Sequence, residues 1–226
     1  FQGCYHGWHD YLCMNIISKP EKMGLYDPAS AGILDSSAQE TIVLDFNRLD
    51  QVEKTLAKAG NEIAAIILEP IPHNIGCVLP NREFLQGLRQ LCDLYGIILI
   101  FDEVITGFRI ALGGAQAFYG VTPDLATFGK AVGGGLPLSV VAGRQAIMEQ
   151  MFSRGVVFGG TFNGNPLSLA ASNAALTELS RDGGALLAQA NARGSKLMAG
   201  IAGKAHRHGV ALQVTGFGTA MSLPFT

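Results

Sequence analysis

The run IILIFDE, residues 97–103, constrains this chain's fold more than any other feature. Its apolar residues are unbroken from Ile97 to Phe101 and end on Asp102 and Glu103. A strand that alternates apolar and polar residues has one wet face, whereas a continuous apolar run belongs to a strand covered on both faces, as in parallel sheets. The sequence around it repeats the pattern. Asn81 is placed to cap a helix through Tyr95, with Phe84, Leu85, Leu88, Leu91, Cys92 and Tyr95 at helical spacing, and Gly96 ends it. IAAIILE (63–69), DLAT (124–127) and LSVVAG (138–143) read as further strands. Leu49 to about Ala59 reads as a helix stopped by Gly60, and Asn165-Pro166 starts another. The expected fold is α/β: a mostly parallel sheet covered by helices. The break at Arg181–Gly184 divides residues 1–181, a large domain, from residues 182–226, the start of a smaller α+β domain.

Composition narrows the function classes. With a net charge of −2 over 226 residues and no basic run, nucleic acid is not an expected partner. No apolar stretch approaches the ~18 residues that span a bilayer. The four cysteines lie far apart with no Cys-x-x-Cys pair, which predicts a reduced, cytoplasmic protein. The chain opens at Phe1 without a methionine, so it is expected to be an internal piece of a longer protein. Cys4, His6, His9 and Asp10 match no standard zinc spacing; no metal is expected, and His6 and His9 read as structural or pocket-edge residues.

In an open α/β sheet, ligands sit beyond the carboxyl ends of the strands. Asp102 lies at that end of one strand, and Lys130 follows the next, in DLATFGKAVGGGLP (124–137). The plain reading is that Asp102 caps a loop and Lys130 snorkels to water. The chemical reading is that a carboxylate and an amine share one rim, with small apolar surroundings desolvating the amine and favouring its neutral, Schiff-base-forming state. A P-loop is excluded, since Gly129-Lys130 lies downstream of the acidic strand, lacks the first glycine and is followed by Ala131. GFGTAM (216–221) fails as a dinucleotide fingerprint at Met221. Glu69 reads as closing its strand before Pro70 rather than orienting a neighbour, and Arg109 as pairing with Glu103 or another local acid.

Three motifs in order, LIFDEVITGFR (99–109), TFGKAVGGGLP (127–137) and GGTFNGNPLSLAA (159–171), resemble class III aminotransferases of pyridoxal-phosphate fold type I. ILEPIPHNIGCVLPNREFLQGLR (67–89) and GGAQAFYGVTPDL (113–125) resemble the branch containing glutamate-1-semialdehyde 2,1-aminomutase. The resemblance implies pyridoxal 5′-phosphate as cofactor and a large cofactor domain followed by a smaller one. It also implies that the first phosphate-cradling loop precedes Phe1. Lys130 would form the Schiff base and later carry the proton. Asp102 would pair with the pyridinium nitrogen, Tyr5 and Val104 would lie on the two ring faces, and Asn74 would bond the phenolic oxygen. Thr161 would reach the phosphate of a neighbouring subunit's cofactor, which makes a homodimer with shared sites the working unit.

The substrate would be a small amino or oxo compound. Ile105 after Asp-Glu-Val, together with Asn74, favours conversion of glutamate-1-semialdehyde to 5-aminolevulinate. Trp8-His9 and the charged SKPEKMG (18–24) depart from the aminomutase pattern, as do Asn163 and Leu169. They favour the alternative, an intermolecular transaminase acting on an ω- or β-amino acid or amine and an oxo acid. A cofactor-free binding relative is the distant alternative, and it would need neither Lys130 nor Asp102.

Overall fold

The computed structural model describes residues 1–225. A short helix α1 (Asp35–Ala38) and α2 (Leu49–Ala59) precede β1 (Ala65–Leu68), which is followed by α3 (Arg82–Tyr95) and β2 (Ile98–Asp102). Then come α4 (Gly114–Tyr119), β3 (Leu125–Phe128), β4 (Val140–Gly143), two short helices α5 (Gln145–Met148) and α6 (Gln150–Ser153), and the longer α7 (Pro166–Ser180) and α8 (Ala185–Arg207). A hairpin of β5 (Thr215–Phe217) and β6 (Ala220–Ser222) completes the order.

The main sheet runs β1-β2-β3-β4, with the first two pairings parallel and the last antiparallel. The mostly parallel α/β expectation is met, and β4 turns back for a physical reason. Its connection to β3, residues 129–139, is shorter than the dozen or more residues that a parallel crossover takes. Leu68, Leu99 and Phe101 are fully buried against Phe84, Leu85, Leu88 and Cys92 of α3 and Val52 and Leu56 of α2. Each such side chain contributes roughly 1.5–3 kcal/mol by leaving water. This core holds β1 and β2 in fixed register and so fixes what stands at their carboxyl ends.

Two caps differ from expectation. Asn81 stands at the start of α3, but its side chain caps nothing; its own N–H donates to Asn47 Oδ1 at 2.8 Å. Gly60 does not leave α2 in a left-handed turn, since its φ is −56°. A Cβ there would lie 2.5 Å from the Tyr95 ring, so this glycine permits close packing of α2 on α3. Gly96, at φ 70°, is the left-handed cap the sequence suggests, and Asn165 caps α7 through Leu167 N and Ser168 N. A cavity of about 580 Å³ lies beside β1, lined in part by Phe1, Leu44, Leu56 and Ile66. Its lining also includes His6 and Ile100.

Candidate active site

The parallel ladder sets the rim. Asp102 is the register partner of Thr127, and Lys130 follows three residues later, after Gly129. The Asp102 carboxylate is 8% exposed and accepts from three directions. Val104 N–H and the Thr127 hydroxyl reach Oδ1 at 3.1 and 3.2 Å, and His6 Nδ1 lies 2.8 Å from Oδ2. The Val104 side chain lies against Gly129, where an added Cβ would come within 3.3 Å of Val104 Cγ1. Asp102, Val104, Thr127 and the turn that carries Lys130 therefore form one contiguous cluster.

Lys130 opens a 3-10 turn, Lys130–Gly133, with φ at 49°. That left-handed conformation costs a non-glycine residue on the order of 1 kcal/mol and is retained only where surrounding structure enforces it. Enforcement comes from Gly134, also left-handed, which presses on α7: a Cβ there would stand 2.9 Å from Ala171 O. The lysine side chain is exposed, and among the described residues it makes no ion pair. The desolvated lysine expected from its small apolar neighbours is thus not found: in this chain the residue is exposed.

The neighbouring acids overturn two further expectations. Glu103 is fully buried and does not meet Arg109. It accepts from Thr106 Oγ1 and Ala115 N through Oε2, and from Gln116 N and Nε2 through Oε1, capping α4. Arg109 instead donates to Ile105 O, and burial without an acid partner pulls its guanidinium down from the usual range. Glu69 does more than close β1. Its Oε1 accepts the Tyr5 N–H at 2.9 Å, and Oε2 faces His73 Nδ1 at 3.7 Å. Burial opposes charge on His73, but the neighbouring Cys77 sulfur and Glu69 carboxylate outweigh it and push the imidazole up to about 9.

Tyr5 is half-buried, with its ring edge-on to Trp8 at 6.1 Å. Trp8 is 75% exposed, so it is not the half-buried aromatic its residue type suggests. Asn74 is exposed on the turn after Glu69, and Thr161 is exposed between α6 and α7. Neither bonds to the Asp102 cluster among the described residues. His6 is the functional candidate that sequence reasoning left at the pocket edge. Its side chain is 5% exposed, Nδ1 meets Asp102, and buried Nε2 has no partner among the described residues. Only its place next to Tyr5 hinted at this role. Burial pushes the Cys4 thiol up to about 11 and the Cys92 thiol up to about 12, so neither is a nucleophile at neutral pH.

A model of the aminotransferase class-III family matches residues 1–226. An omega-transaminase from Sphaerobacter thermophilus superposes with a TM-score of 0.90 at 34% identity, over 99% of this chain and 52% of that one. A beta-phenylalanine aminotransferase from Variovorax paradoxus gives 0.81 at 28% identity, over 100% of this chain and 48% of that one. A glutamate-1-semialdehyde-aminomutase from Pseudomonas aeruginosa PAO1, in complex with PMP, gives 0.80 at 27% identity, over 100% of this chain and 51% of that one. The chain spans about half the length of these structures. The cofactor of the family is pyridoxal 5′-phosphate. The donor set fits that molecule: Asp102 is a buried acceptor already oriented by three donors, and Lys130 is an amine without an acid partner on the same rim. Sheet order, rim chemistry and a family match over residues 1–226 agree, and the chain belongs to the class III aminotransferases.

Proposed function

We propose that the protein transfers amino groups with pyridoxal phosphate held at the Asp102–Lys130 rim, passing the group from a small amine or amino acid to a separate oxo acid. The observation that carries this reading is the three-donor cradle around Asp102, with the exposed Lys130 three residues beyond its register partner Thr127. When bound, the cofactor supplies a carbonyl that exchanges amines and a ring that accepts electrons. Asp102 would hold a proton at the ring nitrogen, which needs a carboxylate kept in one orientation. Lys130 would anchor the cofactor and move a proton at the amine-bearing carbon of the substrate. Tyr5, Val104 and Asn74 would help to hold the cofactor ring, and Thr161 would serve the phosphate in a second copy of the chain.

The homodimer part of this reading is supported by the surroundings of Thr161. Phe152, Val157, Phe158 and Phe162 are 87%, 92%, 60% and 83% exposed, an apolar surface that a second copy would cover. We keep the domain division at 181/182, where Asp182, Gly183 and Gly184 all take positive φ between α7 and α8. Cytoplasmic residence is supported by four cysteines that are all unpaired. Among the described residues, no helix is long and apolar enough to cross a membrane.

Transfer between two molecules is favoured by segment 18–24, which a gated intramolecular exchange would need mobile and small. Here it holds a 3-10 turn, Pro20–Lys22, tied by Lys22 Nζ to Asp27 Oδ1 at 2.7 Å. Ile105 and Asn74 favour the second reading, conversion of glutamate-1-semialdehyde to 5-aminolevulinate. Glutamate-1-semialdehyde supplied with no added acceptor separates the two. Formation of 5-aminolevulinate selects the aminomutase, and turnover of other amines only when an oxo acid is present selects the transaminase. Lys130→Ala should abolish the visible absorption band of covalently held cofactor; a band that survives refutes the anchor.

A further inference from the structure

Strands β1 and β2 end side by side. Leu68 is the register partner of Phe101, so the next residues, Glu69 and Asp102, stand as neighbours on the rim. Both are buried, at 5% and 8% exposure. Each grips one of two consecutive residues in the same loop: Glu69 Oε1 takes the Tyr5 N–H at 2.9 Å, and Asp102 Oδ2 takes the His6 ring at 2.8 Å. This loop belongs to no helix or strand, and Gly3 and Gly7, at φ 86° and 94°, flank the gripped pair. Its backbone therefore has little stiffness of its own, and the two acids supply it. Glu69 is itself steadied on its other side, where Oε2 faces His73 Nδ1, a ring atom that also lies 2.8 Å from Ile71 O.

We propose that Glu69 is a positioning residue: together with the His6–Asp102 contact it forms a two-point clamp that fixes the Tyr5 backbone and so decides where the Tyr5 ring stands over the cofactor site. The inference rests on the proposed roles of Tyr5 and Asp102. Glu69 acts only through Tyr5. Its carboxylate is occupied by a backbone N–H and faces a histidine, leaving the cofactor to the residues on either side. A residue with a merely structural role would lower stability without singling out Tyr5.

The test uses the whole protein with Glu69→Gln and Glu69→Asp. Glutamine keeps a carbonyl oxygen at the right reach; aspartate withdraws the acceptor by one methylene and is mild enough to fold. In cofactor-free protein, hydrogen exchange at the Tyr5 amide should accelerate roughly tenfold or more in Glu69→Asp and stay near wild type in Glu69→Gln. The dissociation constant for pyridoxal phosphate should rise roughly tenfold in Glu69→Asp and stay within about twofold in Glu69→Gln. In a Tyr5→Leu background, where no aromatic ring remains to be placed, Glu69→Asp should add nothing further to that constant. Unchanged Tyr5 exchange in Glu69→Asp, or full additivity with Tyr5→Leu, overturns the clamp. A wild-type protein that fails to bind pyridoxal phosphate would sink the proposed function instead, while the Tyr5 exchange rates would still decide whether Glu69 holds the loop.

Discussion

Replacing Glu103 by glutamine changes one atom's polarity at a fully buried position, and the structure lets its cost be worked out. The carboxylate takes four donors, two on each oxygen. Glutamine fits best with its carbonyl at the Oε2 position, keeping the Thr106 hydroxyl and the Ala115 N–H. Its NH₂ then meets the Gln116 N–H and side-chain amide. The Gln116 amide can turn to offer oxygen; the backbone N–H cannot, and an unpaired buried donor costs about 1–3 kcal/mol. Loss of negative charge at the start of α4 adds about 0.5 kcal/mol. The sum is about 1.5–3.5 kcal/mol, or roughly 3–14 °C in melting temperature for a chain of this size. Glu103→Ala strands both backbone donors and leaves a void, so it should cost about twice as much. Thermal and urea unfolding followed by circular dichroism measure both. A glutamine variant within about 0.5 kcal/mol of wild type, or an alanine variant milder than glutamine, would show that Glu103 does not hold α4 by its four acceptors.

Other consequences follow from the same geometry. The Cys77 sulfur and the Glu69 carboxylate beside it push His73 up to about 9 from its ordinary 6.5, so its protonated form stabilises the fold. That contribution is fully present below about pH 6.5 and is lost as pH rises through 9; His73→Gln should flatten the decline in stability between pH 7 and 9.5, and an unchanged slope would assign the decline to another group. Gly134→Ala would put a methyl group 2.9 Å from Ala171 O at a positive φ. It should lower the melting temperature by roughly 4 °C or more and weaken cofactor binding, because the Lys130 turn is braced there; wild-type melting and binding would show that the turn is held elsewhere.

Local chemistry made much of the molecule legible in advance. The IILIFDE run identified a buried parallel strand because an unbroken apolar sequence tolerates no wet face, and Asp102 stood out as the charge at its end. The helix of residues 82–95 and its Gly96 cap followed from spacing and from the lack of a Cβ at the turn. Less visible were contacts made over long separations. Tyr5 meets Glu69 across 64 residues and His6 meets Asp102 across 96, and no local pattern encodes either pair. Arg109 and Glu103 lie close in sequence and carry opposite charges, yet backbone donors won the acid because Glu103 turns inward to the start of α4.

By itself, then, the sequence determined which segments bury, where the parallel strands end, and that an acid and an amine belong to neighbouring strand ends. Hydrophobic periodicity and backbone sterics act within a few residues, so they can be read in order along the chain. Only the tertiary structure decided which groups complete the Asp102 cradle, that Lys130 is exposed in a left-handed turn, and that Glu69 holds Tyr5. Those outcomes depend on strand register and on competition among buried donors for a few acceptors, which are settled when the chain closes on itself.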